Sequence, residues 1–130
     1  TSLSGLTLGP LNAVVTTSVG SSGAAVQVAT VSNIIATLTG GALTITDVAN
    51  GNDTLSLSQI AGDLVITANG DSVIGSNAGT GSGTNSVSIP LIDITGLVTV
   101  NAAGGTDIIN IGAIVTPLSG LTVNGGTGDD

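Results

Sequence analysis

The only charged side chains in this chain are eight aspartates, at positions 47, 53, 63, 71, 93, 107, 129 and 130. With no Lys, Arg or His, the formal net charge is −8. Carboxylates lacking cationic or imidazole partners suit two kinds of chemistry. They can coordinate a hard cation, or pairs of them can pass protons in glycoside hydrolysis. Their spacing favours the first. Asn50-Gly51-Asn52-Asp53, Asn69-Gly70-Asp71 and Gly104-Gly105-Thr106-Asp107 each set one Asp after a Gly/Asn turn and before an alternating apolar run. Asp53, Asp71 and Asp107 therefore occupy equivalent turns. Gly125-Gly126-Thr127-Gly128-Asp129-Asp130 begins a further copy. These five aspartates are the candidate metal ligands, and calcium is the candidate ion. Stacked carboxylates repel by about 1 kcal/mol at ~4 Å even in water. With no cation in the chain, a metal, a proton or a partner must compensate. The competing role is structural: Asp caps such turns through its own side chain, and salt screens the remainder. Asp47, Asp63 and Asp93 read as solvated surface or turn residues.

The missing residue types exclude much else. Without Lys or Arg there is no footprint for nucleic acid phosphates and no basic patch for an anionic membrane. Without Cys there are no disulfides or thiolate zinc sites. Without His, Cys or Lys, most nucleophile–base pairs have no parts. A carboxylate-only glycosidase would lack the aromatic platforms and basic residues that sugar clefts usually use, since Phe, Tyr and Trp are absent. The chain is expected not to be an enzyme. No apolar run reaches the ~18 residues of a membrane span.

The elements that must carry these turns are strands. Hydrophobic residues make up 41% of the 130 positions and mean hydropathy is +0.63, too apolar for a disordered chain. The apolar set is Val, Ile, Leu and Ala, and β-branched residues dominate apolar and polar positions alike, which favours strands. Val28 to Leu38 also carries a helix-like spacing, but its β-branching favours strands. A phrase of a small residue, Gly and an apolar-Thr-apolar start recurs at Leu6, Leu43, Leu64, Leu97 and Leu121, with a fainter copy at Val26. The steps between these copies are 20, 17, 21, 33 and 24 residues, the longest stretched by a Gly/Ser/Asn-rich loop near 72–86. These features predict a single β-rich repeat domain over 1–130, built as a parallel β-solenoid with coils of roughly 20–24 residues. The alternative is an antiparallel β-sandwich.

Gly125-Gly126-Thr127-Gly128-Asp129-Asp130 matches the GGxGxD opening of the calcium-binding nonapeptide of RTX proteins. With Asn50-Gly51-Asn52-Asp53-Thr54-Leu55-Ser56-Leu57, it makes residues 40–130 resemble large bacterial extracellular repeat proteins of the RTX-adhesin, S-layer and surface-fibre type. That resemblance implies a secreted, calcium-stabilised β-protein serving in adhesion or in sheaths, layers and fibres.

The acidic, Lys-free, Thr/Ser/Asn/Gly-rich composition points the same way, to an extracellular or cell-surface location. It also offers no site to trypsin-like proteases. Asn52-Asp53-Thr54 fits a glycosylation sequon, so surface glycans are a candidate partner. The chain, from Thr1 to Asp130, reads as a mature product or a segment of a longer one. Leu118-Ser119-Gly120-Leu121-Thr122-Val123 echoes Leu3-Ser4-Gly5-Leu6-Thr7-Leu8, a phase match suited to head-to-tail stacking. Unblocked β edges template the addition of further chain. The expected function is that of a self-assembling subunit or segment of an extracellular fibre, sheath or surface layer, whose partners are copies of itself or neighbouring repeats. One alternative is a calcium-dependent adhesin module. A more remote one is an ice-binding solenoid, suggested by Thr37-Leu38-Thr39 and Thr44-Ile45-Thr46.

Overall fold

A computed structural model describes residues 9–13, 16–17, 20–21, 26–31, 33–69 and 72–129. The opening phrase at Leu3–Leu8, together with Asp71 and Asp130, lies outside the described residues. The chain is all-β. Strands β1 (Gly9–Ala13) and β4 (Val26–Val31) pair antiparallel, as do the short β2 (Thr16–Thr17) and β3 (Gly20–Ser21). The Val28–Leu38 region is strand, divided between β4 and β5 (Ile34–Thr39).

From β5 onward alternation sets the architecture. In β6 (Ala42–Asp47), β8 (Asp63–Ala68), β10 (Ser86–Pro90) and β11 (Val98–Asn101) every second residue is buried, as it is in β7 (Thr54–Ile60) up to Leu57. Successive strand side chains point to opposite faces, so apolar residues two apart line one face. Two mixed sheets result, neither of them closed. One has the order β10-β8-β7-β12, with β12 at Ile108–Ile111; the other is β13-β11-β6-β5-β9, with β9 at Ile74–Ser76 and β13 at Leu121–Asn124. Leu55, Leu57, Leu64, Ile66, Val87 and Ile89 from the first share one hydrophobic core with Ile34, Leu43, Ile45, Ile74, Val98 and Val100 from the second. A single helical turn, Leu91–Asp93, buries Leu91 at the core's end. Among the described residues, no helix is long and apolar enough to cross a membrane.

This arrangement is sandwich-like and corrects the expectation of a parallel solenoid throughout. Among the described strands, parallel pairing joins β5 with β9, β6 with β11, β11 with β13, and β7 with β12. The chain otherwise folds back on itself in hairpins: β5 with β6, and β7 with β8. The reason lies in two turns. Gly40 and Gly41 both have positive φ (56° and 82°), which favours a two-residue hairpin loop. Ala61, at φ 55°, begins the turn from β7 to β8. The phrase at Leu64 is therefore the returning arm of a hairpin in the opposite sheet from Leu43. Gly96 and Gly120 open the same phrase but lead into parallel strands, Val98 pairing with Leu121 and with Leu43.

The two ends of the sandwich differ. Residues 74–84 fold over the β9/β10 end. Ile74 bridges to Thr84 and Thr80 to Ser88, and the Thr80 and Ser88 amides each donate to the other's carbonyl at 2.9 Å. At the opposite end, β12 and β13 are the outermost strands of their sheets. The connection between them is clamped by Gln59, whose Oε1 accepts from the Val115 and Thr116 amides, both at 2.9 Å.

Candidate functional site

Strand alternation carries aspartate into the interior at one margin of the sandwich. Asp47 follows Leu43 and Ile45 on the inward face of β6. Asp53 lies two residues before the buried Leu55, and Asp107 two before the partly buried Ile109. All three are buried: Asp47 is 6% exposed, Asp53 7% and Asp107 4%. Asn33 and Ser72 are buried beside them.

The parallel register of β12 on β7 pairs Ile108 with Thr54, which stacks the two preceding turns. The Asp53 amide donates to Asp107 Oδ1 at 2.8 Å, across 54 residues. The Thr106 amide donates to Asn52 Oδ1 at 2.8 Å in the same stack. Gly105, at φ 138°, lies so close to Gly51 that an added Cβ would run into the Gly51 carbonyl. Glycine is therefore required there for both conformation and space.

Hydrogen bonds orient the carboxylates. Ser72 Oγ donates to Asp53 Oδ1 at 2.7 Å, and Asn33 Nδ2 approaches the same oxygen at 3.4 Å. Asn33 is itself held by the Val73 amide, which donates to its Oδ1 at 2.7 Å. Asp47 Oδ1 accepts from the Ala49 amide at 2.8 Å, while the buried Asp47 Oδ2 accepts no hydrogen bond. Burial pushes the Asp47 carboxyl above the ordinary aspartate value of 3.8, the Ala49 and Asn50 backbone amides beside it lower it in part, and the Asp53 and Asp107 charges raise it further. Asp47, Asp53 and Asp107 line a cavity of about 10 Å³, closed by Ile34, Ile45, Leu55, Val100 and Asn101, among others. That volume matches a single water-sized occupant.

The structure thus brings together two of the five predicted ligands, Asp53 and Asp107. Asp129 is exposed, in the turn after β13, away from this cavity's lining. Asp71 and Asp130 lie outside the described residues. Asp47, read from sequence as a surface residue, is instead the third carboxylate of the cluster. The signal that marks it is its phase: it stands two residues beyond Ile45, on the core face of an alternating strand. Asp93 is exposed, and half-buried Asp63 accepts from Ser88 Oγ at 2.7 Å. Among the described residues, no group of three or more acidic side chains has the ready-made geometry of a metal centre. An ion here would need backbone carbonyls or water to complete its shell, as oxygen-liking cations commonly do.

A second polar row runs along the outer strands. Asn124 Nδ2 donates to Asn101 Oδ1 at 2.7 Å, and Asn101 Nδ2 approaches Thr46 Oγ1 at 3.4 Å. Such side-chain ladders couple successive parallel strands.

No family model matches the chain, and no curated protein and no solved structure is found to resemble it.

Proposed function

We propose that this chain is a structural segment of an extracellular fibre, sheath or surface layer, and that it associates by adding β-strands to the edges of β12 and β13, which no other described strand covers. One observation carries the reading. Leu43 and Val98 are fully buried, and their register partner Leu121 is 37% exposed. Ile45 and Val100 are buried to within 1%, and Val123 beside them is 44% exposed. The same columns that build the core thus run out to the surface at one end. On the other sheet, Ile108 and Ile111 are also exposed. Both sheets end on parallel-paired strands, and an unpaired edge of this kind recruits further strands.

The stretch from β11 through β12 to β13 supplies the template for what is added. It steps 23 residues between the hydrogen-bonded Asn101 and Asn124, a coil of the predicted length. Gly104 pairs with Thr127 in the same parallel sense. No Lys guards these edges, and the sole Pro near them is Pro117, in the connection. Because residues 74–84 cover the opposite end, association runs through the β12/β13 end first.

Sedimentation and negative-stain imaging of the full chain and of Val123→Lys test this reading. Concentration-dependent dimers or filaments are expected for the natural chain and a monomer for the variant. A natural chain that stays monomeric at high concentration overturns the reading. A second reading, a monomeric calcium-dependent adhesin module, draws on the buried carboxylates; particles that remain monodisperse with and without calcium but bind a surface glycan would favour it.

A further inference from the structure

The inner layers of the stack that ends on β13 show what a further layer must look like. Leu43, Val98 and Leu121 stand in one column, Thr44, Thr99 and Thr122 in the next, and Ile45, Val100 and Val123 in a third. The first and third columns are core; they are buried in β6 and β11 and exposed at Leu121 and Val123. The backbone follows one pattern. The Leu43 amide donates to the Leu97 carbonyl at 3.0 Å, and the Val98 amide to the Gly120 carbonyl at 2.9 Å. Each strand's first residue thus donates to the residue just before its partner in the next layer. Backbone groups alternate in direction along a strand, so Leu121 and Val123 aim theirs away from β11. The position before the strand is tight: a Cβ on Gly120 would lie 2.8 Å from Leu97 Cδ1. A strand that extends the stack is therefore parallel and reads Gly-apolar-Thr-apolar.

The chain holds such a segment. The copies of this phrase at Leu43, Leu64 and Leu97 lead into β6, β8 and β11, each of which has a neighbour on both sides. The copy at Leu121 is the edge itself. Val26 pairs with Ala13 and carries Ala25 and Gln27 in place of Gly and Thr. There remains Leu3-Ser4-Gly5-Leu6-Thr7-Leu8, outside the described residues, which differs from Leu118-Ser119-Gly120-Leu121-Thr122-Val123 only at its last position.

We propose that Leu3–Leu8 of a second copy adds to β13 as a further parallel strand, with Leu6 beside Leu121, Thr7 beside Thr122 and Leu8 beside Val123. Such pairing rests on the edge association proposed above and gives it an occupant and a register. Leu6 and Leu8 extend the two exposed apolar columns, and the Leu121 amide meets the Gly5 carbonyl. A slip of one residue would turn both leucines to the outer face, so the register is specified. Gly9 comes opposite Asn124, so the amide ladder from Asn101 to Asn124 stops there, and backbone bonds with the two apolar columns hold the strand. The surfaces that meet differ, one copy's Leu3–Leu8 and another's β13. A head-to-tail contact of this kind leaves one surface of each sort unused and grows into an open filament unless it closes as a ring. An antiparallel pairing of β13 with β13 would instead close as a two-fold dimer and would not involve Leu6.

The test is complementation between full-length variants, read by sedimentation velocity, with far-ultraviolet circular dichroism to check that each stays folded. The natural chain should associate as its concentration rises, and Leu6→Lys and Val123→Lys should each sediment as a monomer. Their equimolar mixture should give a one-to-one dimer and nothing larger, because Leu6→Lys keeps an intact β13 and Val123→Lys an intact Leu3–Leu8. Cross-linking checks the register without disturbing the apolar columns. The chain has no cysteine, so Thr7→Cys mixed with Thr122→Cys under oxidation should yield a disulfide-linked dimer, since partners in register lie within disulfide reach. Neither cysteine variant should cross-link alone. If the natural chain associates and Leu6→Lys still associates, or if Thr122→Cys cross-links to itself, this occupant is wrong and edge association stands without it. A mixture of the two lysine variants that stays monomeric overturns the proposal too. A natural chain that never associates overturns both it and the edge reading.

Discussion

The backbone amide of Asp53 donates to Oδ1 of Asp107 at 2.8 Å, so one turn's aspartate caps the equivalent turn 54 residues earlier in the chain. An Asp commonly caps its own turn. Here the side chain reaches across to the next layer and fixes the stacking of β12 on β7. The bond is buried, so its loss leaves a buried amide without its partner.

Replacing Asp107 separates the acceptor from the charge. Asp107→Ala leaves the Asp53 amide without its acceptor and should cost about 1–3 kcal/mol. Asp107→Asn keeps a carbonyl oxygen in place and should cost much less. Urea unfolding in chelator measures both; equal losses for the two variants would show that the charge, and not the acceptor, matters.

The Asp47 carboxyl titrates at higher pH in the folded chain than its ordinary value of 3.8. The folded state therefore holds this proton more tightly than the unfolded one. By linkage, the contribution of Asp47 to stability is fully present below the unfolded value and is lost as pH rises through the raised folded one. In chelator, the natural chain should gain stability relative to Asp47→Asn as pH falls through that window. Urea midpoints of both chains between pH 7 and pH 4 report it. A difference between them that is independent of pH would remove Asp47 from the titrating set.

Stacked turns and hairpin turns should respond oppositely to a methyl group. Gly105 has φ 138°, and a Cβ there would collide with the Gly51 carbonyl, so Gly105→Ala should destabilise by at least about 2 kcal/mol. Gly62, in the turn between β7 and β8, has nothing within 4 Å of such a Cβ and no positive φ. Gly62→Ala should be neutral or stabilise by about 0.4–1 kcal/mol, through the unfolded chain. Chemical denaturation of the two variants side by side decides; similar losses would mean that the turns before β7 and β12 are not stacked as described.

Much of this was legible from the residues alone. Alternation of Leu, Ile and Val with Thr and Ser determines strands, because it places every second side chain on one face whatever the partner strand is. The recurring Gly/Asn-Asp turns marked Asp53 and Asp107 as equivalent, and they stack. The same alternation contained Asp47, in phase with Leu43 and Ile45, although a lone Asp at a strand end looks like a surface residue. What the residues could not decide was the partner of each strand. The phrase at Leu43, Leu64 and Leu97 is locally similar in all its copies, yet Gly40-Gly41 and Ala61-Gly62 close hairpins, each within its own sheet, and Gly96 leads into a parallel strand. Positive φ does not distinguish the two outcomes: it occurs at Gly40 and Gly41 and at Ala61 in the hairpin turns, and equally at Asn50, Ala103 and Gly105 in the stacked ones. Tertiary packing settled it. Burying both inward faces against each other keeps a hairpin inside each sheet, β5/β6 and β7/β8, with the parallel strands β9, β11, β12 and β13 added outside them. That choice brought three acidic residues, distant in sequence, to the margin of one core.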